Sequence, residues 1–152
     1  MAIIKKKSKY NVVQMAEKRV KNIFSNGLPV YMSFSGGKDS LALAQLVYNL
    51  IERGEIDASQ LTVNFIDEEA IYPCIERTVK DWRKKFMMVG AKFNWYCLEI
   101  RHFNALNKLT TDESFICWDR YKRDVWVREK PSFAINYHPL FRPRKDTYQQ
   151  FL

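Results

Sequence analysis

The chain has 152 residues, 47% apolar and 28% charged. That is enough for one core and one domain, and no apolar run approaches the roughly 20 residues that span a bilayer. Lys and Arg number 25 against 17 Asp and Glu, and the resulting charge of +8 favours polyanionic partners. The basic residues are spread over 5–9, 83–85, 120–130 and 142–145. A solvated basic surface is therefore favoured over a dedicated nucleic-acid face. Cys74, Cys97 and Cys117 are scattered, with no CxxC and no His/Cys cluster. They suggest neither a disulfide framework nor a zinc site, and with no secretory signal they place the chain in the cytoplasm, with no membrane partner.

In chain order, Val12, Val13, Ala16, Val20, Ile23 and Phe24 recur at helical spacing and predict an amphipathic helix over 9–25, ended by Asn26-Gly27. Residues 29–34 read as a buried strand. Ser35-Gly36-Gly37-Lys38-Asp39-Ser40 follows as a glycine-rich turn, and 41–51 is a helix apolar almost all round. Leu61–Ile66 reads as a second strand ending in Asp67-Glu68-Glu69. Ile71, Ile75, Val79, Trp82, Phe86 and Val89 trace one face of a long helix, and 93–100 is a third strand. After residue 101 the periodicity weakens: 103–109 reads as a short helix, 124–128 as a short strand, and Pro131, Pro139 and Pro143 punctuate an irregular tail.

Strands alternating with helices predict βαβ units, a parallel sheet and right-handed crossovers, with ligands at the carboxyl ends of the strands. Ser35–Ser40, Asp67–Glu69 and Arg101-His102 all fall there. Strand one has a neighbour on one side only. Its other edge predicts cover by a second copy, a partner protein or the tail.

The glycine-rich turn between strand and helix carries the chemistry. Glycine lets backbone approach a ligand, the first N–H groups of the new helix face an anion, Ser35 and Ser40 add hydroxyls, and Lys38 adds a charge. The spacing is not that of a Walker A loop. Asp39 reads equally as an organiser of the loop or as a helix-capping acid. Asp67 reads as a Mg²⁺ or ribose ligand or as an ordinary acid at a helix start. Cys74 and Cys97 read as buried structural thiols, and Trp118 and Trp126 as packing residues. Cys117 and His102 are weaker pocket candidates, and His138 has no visible partner.

All six residues of the turn resemble the PP-loop of the ATP pyrophosphatase superfamily. Phe65-Ile66-Asp67-Glu68-Glu69-Ala70, Cys117-Trp118, Asp124-Val125-Trp126-Val127-Arg128, His138-Pro139-Leu140-Phe141 and Thr147-Tyr148-Gln149-Gln150-Phe151 resemble segments of its phosphoadenosine phosphosulfate reductase-like subgroup, of phage and bacterial type. The resemblance covers about 9–152. It implies an α/β, three-layer adenine nucleotide alpha-hydrolase-like (Rossmann-like) domain with a parallel sheet, C-terminally short. A single domain of 1–152 would comprise a helix at 9–26, a βαβαβ core at 28–101 and an irregular tail at 102–152.

The resemblance further implies binding of ATP or a sulfonucleotide by Ser33, Ser35, Gly36, Gly37, Lys38, Asp39, Ser40, Asp67 and Arg128. Lys38 and Asp39 would act in catalysis, with Mg²⁺ on Asp67. The implied chemistry is attack at the α-phosphate of ATP with release of pyrophosphate. A sulfonucleotide reductase is the alternative, although the Glu-Cys-Gly-Leu-His motif of true reductases is missing. A non-catalytic nucleotide-sensing or protein-binding subunit is the alternative of another class.

Overall fold

The computed structural model describes residues 9–103 and 114–139. Helix α1 spans Val12–Phe24. Its start is fixed by a reciprocal cap: the Gln14 N–H donates to the Asn11 side chain at 2.8 Å, and the Asn11 N–H donates back to the Gln14 side chain at 3.0 Å. Gly27, at φ 67°, turns the chain into β1, Val30–Ser33. Then come α2 (Lys38–Glu52), β2 (Leu61–Ile66), α3 (Pro73–Met88) and β3 (Lys92–Tyr96). None of the helices among the described residues is long and apolar enough to cross a membrane.

The three strands form one parallel sheet in the order β1-β2-β3, with Val30 opposite Leu61 and Val63 opposite Phe93. Both crossovers step the same way, so their helices share one face. Tyr48 of α2 confirms this, its ring centroid 6.1 Å from that of Trp82 and 6.0 Å from that of Phe86, both on α3. Met32, Phe34, Leu61, Val63, Phe65 and Trp95 point into this layer and are buried. Helix α1 packs beside α2, burying Val20 and Phe24. The ion pairs Arg53–Glu17 and Lys21–Glu55, both 2.7 Å, are solvent-exposed, so burial rather than charge holds α1.

Beyond Tyr96 the structure departs from the sequence reading. The third strand ends at 96 because the chain there accepts a different neighbour. The Ile135 N–H donates to the Trp95 carbonyl at 2.8 Å, and the Cys97 N–H to the Ile135 carbonyl at 3.0 Å. Residue 135 thus adds a one-residue parallel bridge on the outer edge of β3. Ile100–Phe103 and Ser114–Cys117 form an antiparallel pair, β4 and β5, inside what reads as irregular tail. Phe103 closes β4, and the rest of the expected 103–109 helix lies outside the described residues.

The strand expected at 124–128 is not one. Arg120–Val125 is a 3-10 turn begun by the Asp119 side chain, which accepts the Tyr121 N–H at 3.0 Å. Trp126 closes it by donating its N–H to the Arg123 carbonyl. No strand among the described residues lies beside the outer edge of β1.

Candidate functional site

The loop at the end of β1 is built by contacts a longer side chain would break. The Phe34 N–H still pairs with the Asn64 carbonyl at 2.9 Å. Gly36 then takes φ +75°, and a Cβ there would lie 2.9 Å from Val79 Cγ2 and 3.0 Å from Ile75 Cγ2. The glycine therefore supplies both a left-handed turn and a close approach to α3. Gly37 is the N-cap of α2, extended at φ −81° and ψ 167°, and no side chain caps the helix. Ser40 Oγ donates to the Gly37 carbonyl at 2.9 Å and accepts from Ser35 Oγ at 3.1 Å and from the Ser35 N–H at 3.3 Å. The two hydroxyls tie the loop to itself, while the first turn of the 15-residue α2 keeps N–H groups that no side chain satisfies. Lys38 and Asp39 are exposed in that turn, and Ser33 is exposed just before the loop.

Asp67 and Arg128 are brought together, but not around an open pocket. Asp67 is buried at the end of β2, and its carboxylate accepts hydrogen bonds from Trp95 Nε1 at 2.8 Å, the Glu69 N–H at 3.0 Å and Arg128 Nη2. Arg128, its side chain 15% exposed, also stacks 5.0 Å from the Trp118 ring centroid. Its Nη1 lies 3.8 Å from Glu76 Oε1, yet its Nε and Nη1 are buried without a hydrogen-bond partner.

Both Asp67 oxygens accept hydrogen bonds, and a guanidinium stands in contact with the carboxylate. The Arg128 guanidinium is ion-paired with Asp67. Among the described residues, no group of three or more His, Cys, Asp or Glu side chains is arranged to hold a metal.

Trp118, read from the sequence as a packing residue, is buried beside Glu69 of the acidic segment. Both have positive φ, 64° and 54°, a conformation that costs a residue with a Cβ. They bond to each other: the Trp118 N–H donates to Glu69 Oε2 at 2.6 Å, and Trp118 Nε1 donates to the Asp67 carbonyl at 2.7 Å. Glu69 Oε1 also accepts the Val127 N–H at 3.3 Å. The segment after β2 is thus a clamp on the second half of the chain rather than a free acidic loop. A cleft of about 680 Å³ lies against this clamp, between Glu69, Arg101, Phe115, Lys122 and Trp126.

The thiols divide by position. Cys97 and Cys117 are buried, and burial, ahead of nearby carboxylates, pushes each thiol up to about 12. Cys117 Sγ lies 3.3 Å from the Glu68 carbonyl. Cys74, expected to be buried, is exposed in the first turn of α3. His102 stacks on Phe115 in the β4–β5 pair, and His138 packs edge-on against Tyr96. Burial lowers the Lys130 ammonium from its usual range; it donates to the Cys97 carbonyl and lies over Trp126.

Among known proteins, the chain is similar to the uncharacterized protein YbdN of Escherichia coli (strain K12), at 29% identity over 156 residues. The alignment takes in all of this chain but 36% of that relative, so the chain spans about a third of its length. No family model matches the chain. No solved structure matches it either.

Proposed function

We propose that the Ser35–Ser40 loop binds the phosphates of an adenine nucleotide, and that the chain is a PP-loop protein of the phosphoadenosine phosphosulfate reductase-like kind acting in the cytoplasm. One observation carries the reading. A long helix begins at an uncapped glycine, behind a left-handed glycine pressed on α3, with Lys38 exposed in its first turn. Such an N-terminus presents N–H groups and a positive dipole end to an anion. The fold that accompanies this reading is the three-layer adenine nucleotide alpha-hydrolase-like one, with which a three-stranded parallel sheet and its helices are compatible.

The chemistry this supports is attack at the α-phosphate of ATP with release of pyrophosphate. The loop amides and Ser35 and Ser40 hydroxyls hold the leaving diphosphate, and Lys38 neutralises charge as it develops. Asp39 orients the first turn. Asp67 and Arg128 act from behind, by fixing the β2 end against the loop's support on α3. Thiol-driven reduction of a sulfonucleotide is disfavoured, since two of the three thiols are buried and held protonated.

Calorimetry with magnesium ATP tests the reading. Lys38→Ala should weaken binding by about 1.5–3 kcal/mol, the scale of a charge-assisted hydrogen bond. Equal affinity of the two proteins, or AMP binding as tightly as ATP, refutes a phosphate-reading loop. Sulfite release from phosphoadenosine phosphosulfate with a thiol donor would restore the reductase alternative.

A further inference from the structure

The cleft of about 680 Å³ beside the β2 clamp falls in the size range of small-molecule sites. Its two acids are spent on the wall itself. Glu69 Oε2 accepts the Trp118 N–H at 2.6 Å and Oε1 the Val127 N–H at 3.3 Å. Asp119 is buried and accepts the Tyr121 N–H at 3.0 Å. The cations that line the cleft, Arg101 and Lys122, are both exposed. Phe115, Val125 and Val127 line it too, 48%, 67% and 67% exposed, so apolar surface stays open to solvent beside those charges. His102 backs the Phe115 ring, stacked at 5.7 Å between centroids, and Trp126 is pinned by donating its Nε1 hydrogen to the Asp119 carbonyl at 2.9 Å.

Most of the basic run around the cleft is already committed. Arg120 pairs with Glu99 at 2.6 Å, Arg123 with Glu129 at 3.1 Å and Arg128 with Asp67, and Lys130 donates to the Cys97 carbonyl at 3.2 Å. Lys122, by contrast, has no side-chain partner among the described residues, and it breaks the 3-10 turn at φ −127° and ψ 36°. A polyanion such as nucleic acid needs many uncommitted cations, whereas a monoanion needs one or two. The wall is also held in a costly shape. Glu69, which lines the cleft, and Trp118, bonded to it, both have positive φ, and such conformations gather at ligand sites.

We propose that this cleft binds a small aromatic carboxylate, its ring against Phe115, Val125 and Val127 and its carboxylate on Lys122, with Arg101 as the second cation. A flat, rigid ring loses little freedom on binding and suits a wall whose own aromatic ring is fixed by His102. The carboxylate meets an ammonium that no side chain of the wall already neutralises. The proposal does not depend on the nucleotide reading.

The test is fluorine NMR of para-fluorobenzoate titrated with the full chain. The probe should bind with a Kd of about 1 mM or tighter, and the neutral para-fluorobenzamide about tenfold more weakly. Lys122→Met should weaken para-fluorobenzoate about tenfold and Lys122→Arg should keep its affinity, the behaviour of a charge-assisted contact. Val127→Trp, which fills the cleft from an exposed position, should weaken it as well. Lys84→Met, on the exposed side of α3, should leave it unchanged. All four are surface substitutions, and each variant should keep the melting temperature of the parent. Equal binding of acid and amide, or no binding up to about 10 mM, overturns the proposal. So does affinity that neither Lys122→Met nor Val127→Trp changes, or that Lys84→Met reduces as much. Displacement of the probe by magnesium ATP overturns it too, because the cleft would then belong to the nucleotide site. A chain that binds the probe but no ATP refutes the nucleotide reading and leaves this site standing.

Discussion

Gly36→Ala separates two causes that act together in the loop. The substitution adds one methyl in a left-handed conformation, which costs about 1–2 kcal/mol for a residue with a Cβ. The same methyl would lie 2.9 Å from Val79 Cγ2 and 3.0 Å from Ile75 Cγ2, so α3 must shift. Overpacking of this kind costs about 1–3 kcal/mol. The sum is about 2–5 kcal/mol, a drop in melting temperature on the order of 10 °C for a chain of this size. Two other glycines isolate the contributions. Gly27 has φ +67° with nothing within 4 Å of its Cβ position, so Gly27→Ala reports backbone strain alone. Gly37 has φ −81°, and its Cβ would meet only Ser35 Oγ at 3.5 Å. Gly37→Ala should therefore stay within about 1 kcal/mol, its lost N-cap preference offset by a less flexible unfolded chain. Urea denaturation of the three variants is the assay. A loss for Gly36→Ala no larger than that for Gly27→Ala would show that the loop does not press on α3 and would refute the reasoning.

Other outcomes follow from the buried groups. Ellman's reagent at pH 8 should titrate one thiol, Cys74, in the native chain and all three after unfolding; three fast thiols would contradict the burial of Cys97 and Cys117. Arg128→Met should cost about 3–5 kcal/mol by leaving the Asp67 carboxylate buried without its cation, and Asp67→Asn in the same chain should recover part of that in a double-mutant cycle. Hydrogen bonds from Arg120 hold the Glu99 carboxyl below its usual range. Its folded value being the lower one, its stabilisation is complete above about pH 4.5 and lost as pH falls through the folded value. Glu99→Gln should flatten stability between pH 5 and pH 3, measured by denaturation at each pH, by lowering it at neutral pH while changing it little at pH 3.

The first half of the chain was legible because local rules agree there. Alternating apolar runs, Gly27 and the Ser35–Ser40 turn all sit where period and turn chemistry place them, and the parallel order of three strands follows from the short crossovers. What was illegible depends on partners far along the chain. Asp67 looks like a solvent-facing acid at a strand end until Arg128, 61 residues later, is seen to neutralise it. Val125-Trp126-Val127 alternates like a strand, yet Asp119 and the Trp126 N–H close a 3-10 turn instead. Cys74 was misplaced by a single position. The buried stripe of α3 runs through Val79, Trp82 and Phe86 with Ile75 half-buried, and a residue one place before Ile75 turns about 100° away from it.

The clamp at the end of β2 also sets an order of events during synthesis. Helices α1 to α3 and all three parallel strands are encoded by residue 96, and their contacts join neighbouring elements. The bonds that secure Asp67 and Glu69 arrive later, from Trp118, Val127 and Arg128, across separations of 49 to 61 residues. A nascent chain released from the ribosome up to residue 96 thus has a nearly complete sheet and a carboxylate whose cation has not yet been made. Solvent must serve that carboxylate until Arg128 emerges, so the β2 end closes last. Ribosome stalling between 96 and 128 should therefore yield a nascent domain with an ordered glycine-rich loop and a protease-sensitive segment at 67–72.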